Sequence, residues 1–146
     1  MSTTIFNAAF FSGMQLDAWT PHFYYISRYP EGREATISWP NLHNKFTNTT
    51  DGGVLIQIAV TDSSITVTFW GTKKYDVTAT KSARYGVVQP KKFSDPGPDC
   101  LDQNPVPGFK VDVGRIIKQG GKVVKTQKFT TNYRPEDDVT CTNPKP

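Results

Sequence analysis

Residues 22–39 read His-Phe-Tyr-Tyr-Ile-Ser-Arg-Tyr-Pro-Glu-Gly-Arg-Glu-Ala-Thr-Ile-Ser-Trp. Phe23 and Tyr25 alternate with Tyr24 and Ile26, and Ala35, Ile37 and Trp39 alternate with Thr36 and Ser38. That period-2 pattern belongs to half-buried strands. Pro30-Glu31-Gly32 between them supplies turn chemistry: a fixed φ at proline and a residue free to take positive φ. The stretch thus predicts an aromatic hairpin with strands at 23–29 and 35–39. It is also the densest run of side chains able to bind or react, and His22, Arg28, Tyr29, Arg33 and Glu34 are its candidate binding residues.

Working outward, hairpin signals recur along the chain. Val54, Ile56, Ile58 and Val60 alternate with polar or small residues, as do Ile65, Val67 and Phe69. A two-residue loop at Asp62-Ser63 pairs Val60 with Ile65, Ile58 with Val67 and Ile56 with Phe69, whereas a one-residue slip scatters them. A further hairpin is expected from 109–118 and 122–131. A three-residue loop, Gln119-Gly120-Gly121, would set Val111 opposite Phe129 and Ile117 opposite Val123. Short strands are also expected at 45–48 and 75–80, the latter running on towards Val88.

One helix is expected, at the N-terminus. Ser2 and Thr3 suit an N-cap, Gly13 suits a stop, and Ile5, Phe6, Ala8, Ala9, Phe10 and Phe11 are apolar on nearly every side, which predicts burial. Residues 14–21 read as a connector, 89–108 as a long proline-rich loop and 132–146 as an extended tail. The fold class is α+β: one buried N-terminal helix with a mainly antiparallel, hairpin-rich sheet of about eight strands. At 146 residues the chain reads as one domain, 1–146, large enough to bury roughly two thirds of its unfolded surface.

Several functions are excluded or left unsupported. With 17 Lys plus Arg against 13 Asp plus Glu, the net charge of +4 suits contact with an anionic wall polymer or ordinary solubility. It falls short of the clustered basic footprint that nucleic acid requires. No apolar run is long enough to span a membrane, and no signal-peptide pattern precedes the helix. Met1 leads straight into it, which suggests a piece of a longer chain. Nucleophile-elbow and phosphate-loop motifs are missing, so no catalytic residue and no cofactor is assigned.

The two histidines, His22 and His43, lack metal-ligand spacing, and no metal is assigned. His22 reads as a general base or a ligand, or as a backbone-bonded histidine at a strand start. Arg28 and Arg33 can grip an anion or pair with Glu31 and Glu34. Cys100 and Cys141 leave a disulfide or two unrelated thiols. The disulfide is the reading carried forward, and it implies export.

The segments 2–13, 21–39, 45–56, 107–111 and 128–136 together resemble the VanW-like family of bacterial envelope proteins. The resemblance implies an exported, extracytoplasmic setting. It also implies an upstream anchor or signal, often with a peptidoglycan-associated domain ahead, and a glycine-rich Gly-Gly-Gly-x-Cys/Ser-Gln segment before the position of Met1. Peptidoglycan or another envelope polymer is the implied partner, without catalysis by this chain. The alternatives are an enzyme whose reactive segment precedes Met1, combined with His22, and a docking domain for another envelope protein.

Overall fold

The computed structural model describes residues 1–143. One helix, α1 (Ser2–Phe11), is followed by ten strands: β1 (Gln15–Ala18), β2 (Lys45–Thr47), β3 (Leu55–Val60), β4 (Ile65–Trp70), β5 (Asp76–Lys81), β6 (Tyr85–Val88), β7 (Lys92–Asp95), β8 (Gly108–Gln119), β9 (Lys122–Tyr133) and β10 (Asp138–Cys141). The fold is mostly β with antiparallel sheets, and it has more strands than the sequence predicts.

The organising element is β8. It pairs with β9 along one edge and with β5 and then β6 along the other, all antiparallel. From Phe109 on the strand alternates: Phe109, Val111, Val113, Arg115 and Ile117 are buried, while Lys110, Asp112, Gly114, Ile116 and Lys118 are not. One end of that face packs with Tyr133 and the partly buried Tyr25. The other end packs with Phe6, Phe10 and Ala35, ringed by Leu16, Trp19, Val77, Ala79 and Phe129. The face therefore carries both the 22–35 segment and α1.

The expected strands at 23–29 and 35–39 do not form. The segment instead runs as turns, Ile26 to Tyr29 and then Pro30 to Arg33, closed by backbone hydrogen bonds of 2.9 and 3.0 Å. Its strand-like pairing is limited to isolated bridges, Thr20 with Thr36 and Ser38 with Leu42, and the Arg134 amide donates to Phe23 O at 2.7 Å. The aromatic alternation is real, but Tyr25 goes into the β8 core while Phe23, Tyr24, Ile37 and Trp39 stay exposed. The segment lies across a sheet face and adds no strand to its edge.

The β3–β4 register is the expected one, with Val60, Ile58 and Ile56 opposite Ile65, Val67 and Phe69. This hairpin is peripheral, however, and every residue of β3 is exposed. The expected connector at 14–21 contains β1, which pairs with β2. The strand expected to run on to Val88 is two strands, β5 and β6, both hydrogen-bonded to β8.

The β8–β9 turn also departs from expectation. Gly120 and Gly121 form a two-residue loop with φ of +55° and +79°, the double-positive geometry of a type I′ hairpin turn. A bulge then leaves Val124 without an opposite residue, so Ile117 faces Lys125, Val113 faces Phe129 and Val111 faces Thr131. Without that extra residue the two-residue turn would put Lys128 opposite Val113; the bulge restores the apolar pairing.

The loop 89–108 and the tail are more ordered than their composition suggests. Strands β7 and β10 pair in parallel, an arrangement that needs a long crossover, here the β8–β9 hairpin. Further bridges join Gln103 to Val139 and Val106 to Glu136. Cys100 and Cys141 form a disulfide with Cα atoms 5.7 Å apart. The last three residues of the expected extended tail lie outside the described residues.

The helix is half-right in the sequence. Thr3, Phe6, Ala9 and Phe10 are buried, but Phe11 is exposed. The cap residue is Met1, whose thioether makes no capping hydrogen bond, and Thr3 Oγ1, inside the helix, bonds Ala35. At the other end the amide of Gly13 (φ +75°) donates to Phe10 O at 3.4 Å and that of Met14 to Ala9 O at 3.1 Å. These two bonds are the Schellman pattern. Arg115, rising from β8, donates to Phe10 O at 3.0 Å and Met14 O at 2.8 Å, and its guanidinium caps the negative end of the helix.

Candidate functional site

The site begins with the bridge between Thr20 and Thr36. Two residues inward in the same antiparallel register, His22 and Glu34 fall opposite each other on one side. His22 Nδ1 lies 2.5 Å from Glu34 Oε2. Glu34 is fully buried while the His22 side chain keeps 26% of its surface. The histidine thus bonds a carboxylate and not the backbone, as the plainer sequence reading would have it. Its ring stacks on Tyr29, with centroids 5.1 Å apart and planes within 16°.

The floor beneath the pair is built by the Pro30–Arg33 turn. Gly32 takes φ of +67°, and a Cβ on it would stand 2.6 Å from Val113 Cγ2, so only glycine lets the turn settle onto β8. The Gly32 amide donates to Tyr133 Oη at 2.9 Å. Burial, and then the neighbouring Glu34 carboxylate, push the Tyr133 hydroxyl well above its ordinary value, so it stays protonated. Glu34 Oε1 has no hydrogen-bond partner among the described residues.

Helix α1 straps the other side. Asn7 Nδ2 donates to Arg33 O at 2.7 Å, and Thr3 Oγ1 bridges Ala35, donating to its carbonyl at 3.3 Å and accepting from its amide at 3.4 Å. The first half of the helix therefore lies along residues 33–35, next to the His22–Glu34 pair.

Of the five residues singled out in the sequence, the structure gathers three: His22, Tyr29 and Glu34. Arg28 is exposed and stands with Tyr29, Pro30, Thr4 and Asn7 in a cleft of about 600 Å³ that reaches the tip of the β3–β4 hairpin. Arg33 turns away, its guanidinium 5.0 Å from the Phe11 ring centroid, and burial lowers its pKa. Neither arginine pairs with a glutamate of the segment. Glu31 is held instead by Lys81 at 2.7 Å and Arg84 at 2.6 Å.

Sequence reasoning missed Tyr133 and Arg115. Each had a usable signal. Tyr133 continues the alternation of Phe129 and Thr131, and Arg115 sits in phase with Val111, Val113 and Ile117, where only an apolar residue or a committed hydrogen-bonding group belongs.

Among the described residues no group of three or more His, Cys, Asp or Glu is gathered as a metal site would need, and no helix is long and apolar enough to cross a membrane. The family model for VanW like protein matches residues 1–70, which include α1, the whole 20–36 site segment and the β3–β4 hairpin. Residues 1–70 are thus similar to the VanW-like family, and the similar segments at 107–111 and 128–136 lie beyond the matched region. The chain matches no curated protein. No solved structure matches it either.

Proposed function

We propose that the chain acts as one extracytoplasmic domain of the bacterial envelope, holding peptidoglycan or another wall component on its 22–39 face. The observation that carries this reading is a division within one segment. Glu34, Gly32 and Ala35 are buried anchors, while Phe23, Tyr24 and Trp39 are 62%, 46% and 89% exposed. Aromatic faces held on a fixed support lose little entropy when a sugar ring stacks on them. Arg28 is exposed and makes no ion pair among the described residues, leaving its fork for a carboxylate or phosphate. The disulfide fits an oxidising compartment, and the VanW-like match fits an envelope setting.

Cosedimentation with purified cell wall tests this. Arg28→Ala and Trp39→Ala alter exposed side chains, so each is expected to fold and to lose roughly tenfold in affinity, about 1.4 kcal/mol. Retention of both variants at the wild-type level would overturn the assignment of this face. Arg33 is a poor probe, because its replacement also strips cover from Phe10 and Phe11.

A further inference from the structure

Resting on the wall-binding reading for its substrate, we propose that His22 is a general base for hydrolysis of an amide or ester in the bound polymer, with Glu34 as its positioning residue. An ionised carboxylate only accepts hydrogen bonds, so contact with Glu34 Oε2 places the ring proton on Nδ1 and the lone pair on Nε2. Nε2 has no partner among the described residues and is not one of the buried unpaired atoms, so the lone pair is open to solvent. Tyr29 stacked against the ring fixes its plane. A fully buried carboxylate is costly to keep in a fold, and here, with the Tyr133 hydroxyl beside it, it meets a histidine whose other ring nitrogen is free.

The reaction needs only water. A water molecule on Nε2 gives up a proton to it as the oxygen adds to the carbonyl carbon. The imidazolium, stabilised by Glu34, then returns that proton to the leaving nitrogen or oxygen as the carbon–heteroatom bond breaks. The products are a carboxylic acid and an amine or alcohol.

The test incubates the chain with purified sacculi, measuring the bound fraction, newly exposed amines and hydroxyls, and released fragments in the same sample. Wild type is expected to generate product, and His22→Gln to lower the rate roughly 10²–10⁴-fold. Glu34→Gln should lower the rate and shift its pH profile, with Glu34→Asp restoring part of both. Nitrogen-15 spectra of the histidine ring provide a readout that does not depend on turnover: the neutral ring should carry its proton on Nδ1. Retention without product, an unchanged rate in His22→Gln, or a proton on Nε2 would each overturn the proposal while leaving the binding reading intact. Failure of the wild-type chain to be retained would overturn both.

Discussion

Arg115 shows most clearly how one side chain can decide local structure. It is 1% exposed and has no carboxylate partner among the described residues, yet each of its three guanidinium nitrogens donates a bond: to Phe10 O, to Met14 O and, at 2.8 Å, to Gln127 Oε1. Burial lowers its pKa to about 10, so it remains charged at neutral pH. The cation is tolerated because it meets the carbonyl end of α1, where the helix dipole is negative. Arg115→Met keeps the volume but removes the donor to Met14 O and Gln127 Oε1 and leaves Phe10 O with only the long Gly13 amide bond. The expected loss is about 3–5 kcal/mol of stability in urea unfolding, from groups worth 1–3 kcal/mol each. A loss under about 1 kcal/mol would mean that the cap is dispensable.

At the scale of elements, α1 is held by its C-terminal end as well as by its buried apolar face. Its C-terminal turn needs positive φ at Gly13, and a Cβ there would lie 2.7 Å from the Tyr75 ring. Gly13→Ala is therefore expected to cost about 2–3 kcal/mol, of which ~1–2 kcal/mol is the left-handed backbone itself. Gly52→Ala is the control: nothing lies within 4 Å of that position and its φ is not positive. The control should stay within about 0.5 kcal/mol of wild type. Equal thermal midpoints for the two variants would refute the capping account. The site segment depends on the same kind of support, since Gly32 lets it rest on Val113 and Tyr133 takes its amide. His22 and Glu34 meet because of this turn and the Thr20–Thr36 bridge.

At the scale of the molecule, the disulfide joins the proline-rich loop to the chain end across 41 residues of sequence. Closing a loop of that length in the unfolded chain is worth about 4 kcal/mol in the chain-entropy account. Cys100→Ser combined with Cys141→Ser is expected to lower stability by about 2–4 kcal/mol. Hydrogen exchange should show the loss first in β7 and β10, while β8, paired on both edges, keeps the slowest amides. An unchanged unfolding midpoint, or β8 opening before β10, would contradict this picture.

What the sequence by itself determined is what depends on near neighbours along the chain. The β3–β4 register, the helix stop at Gly13 and a mostly β fold with one N-terminal helix and antiparallel sheets follow from alternation, turn chemistry and capping, which are local. The disulfide and three members of the site cluster were also visible as residue types in a suggestive segment. Tertiary structure decided the rest. Residues 23–29 alternate like a strand, but they lie across the face of β8, whose two edges are already paired with β5, β6 and β9, and they pack there as turns. The bulge at Val124 arises because a tight Gly120-Gly121 turn and an apolar pairing of Val113 with Phe129 are satisfied together only with one unpaired residue. Nor could sequence spacing show that Glu34 is buried, that Tyr133 supports it, or that Arg33 leaves the face that Arg28 keeps. Those outcomes depend on β8, which lies some 75 positions from the segment it supports and whose inward face sets where each of those side chains can go.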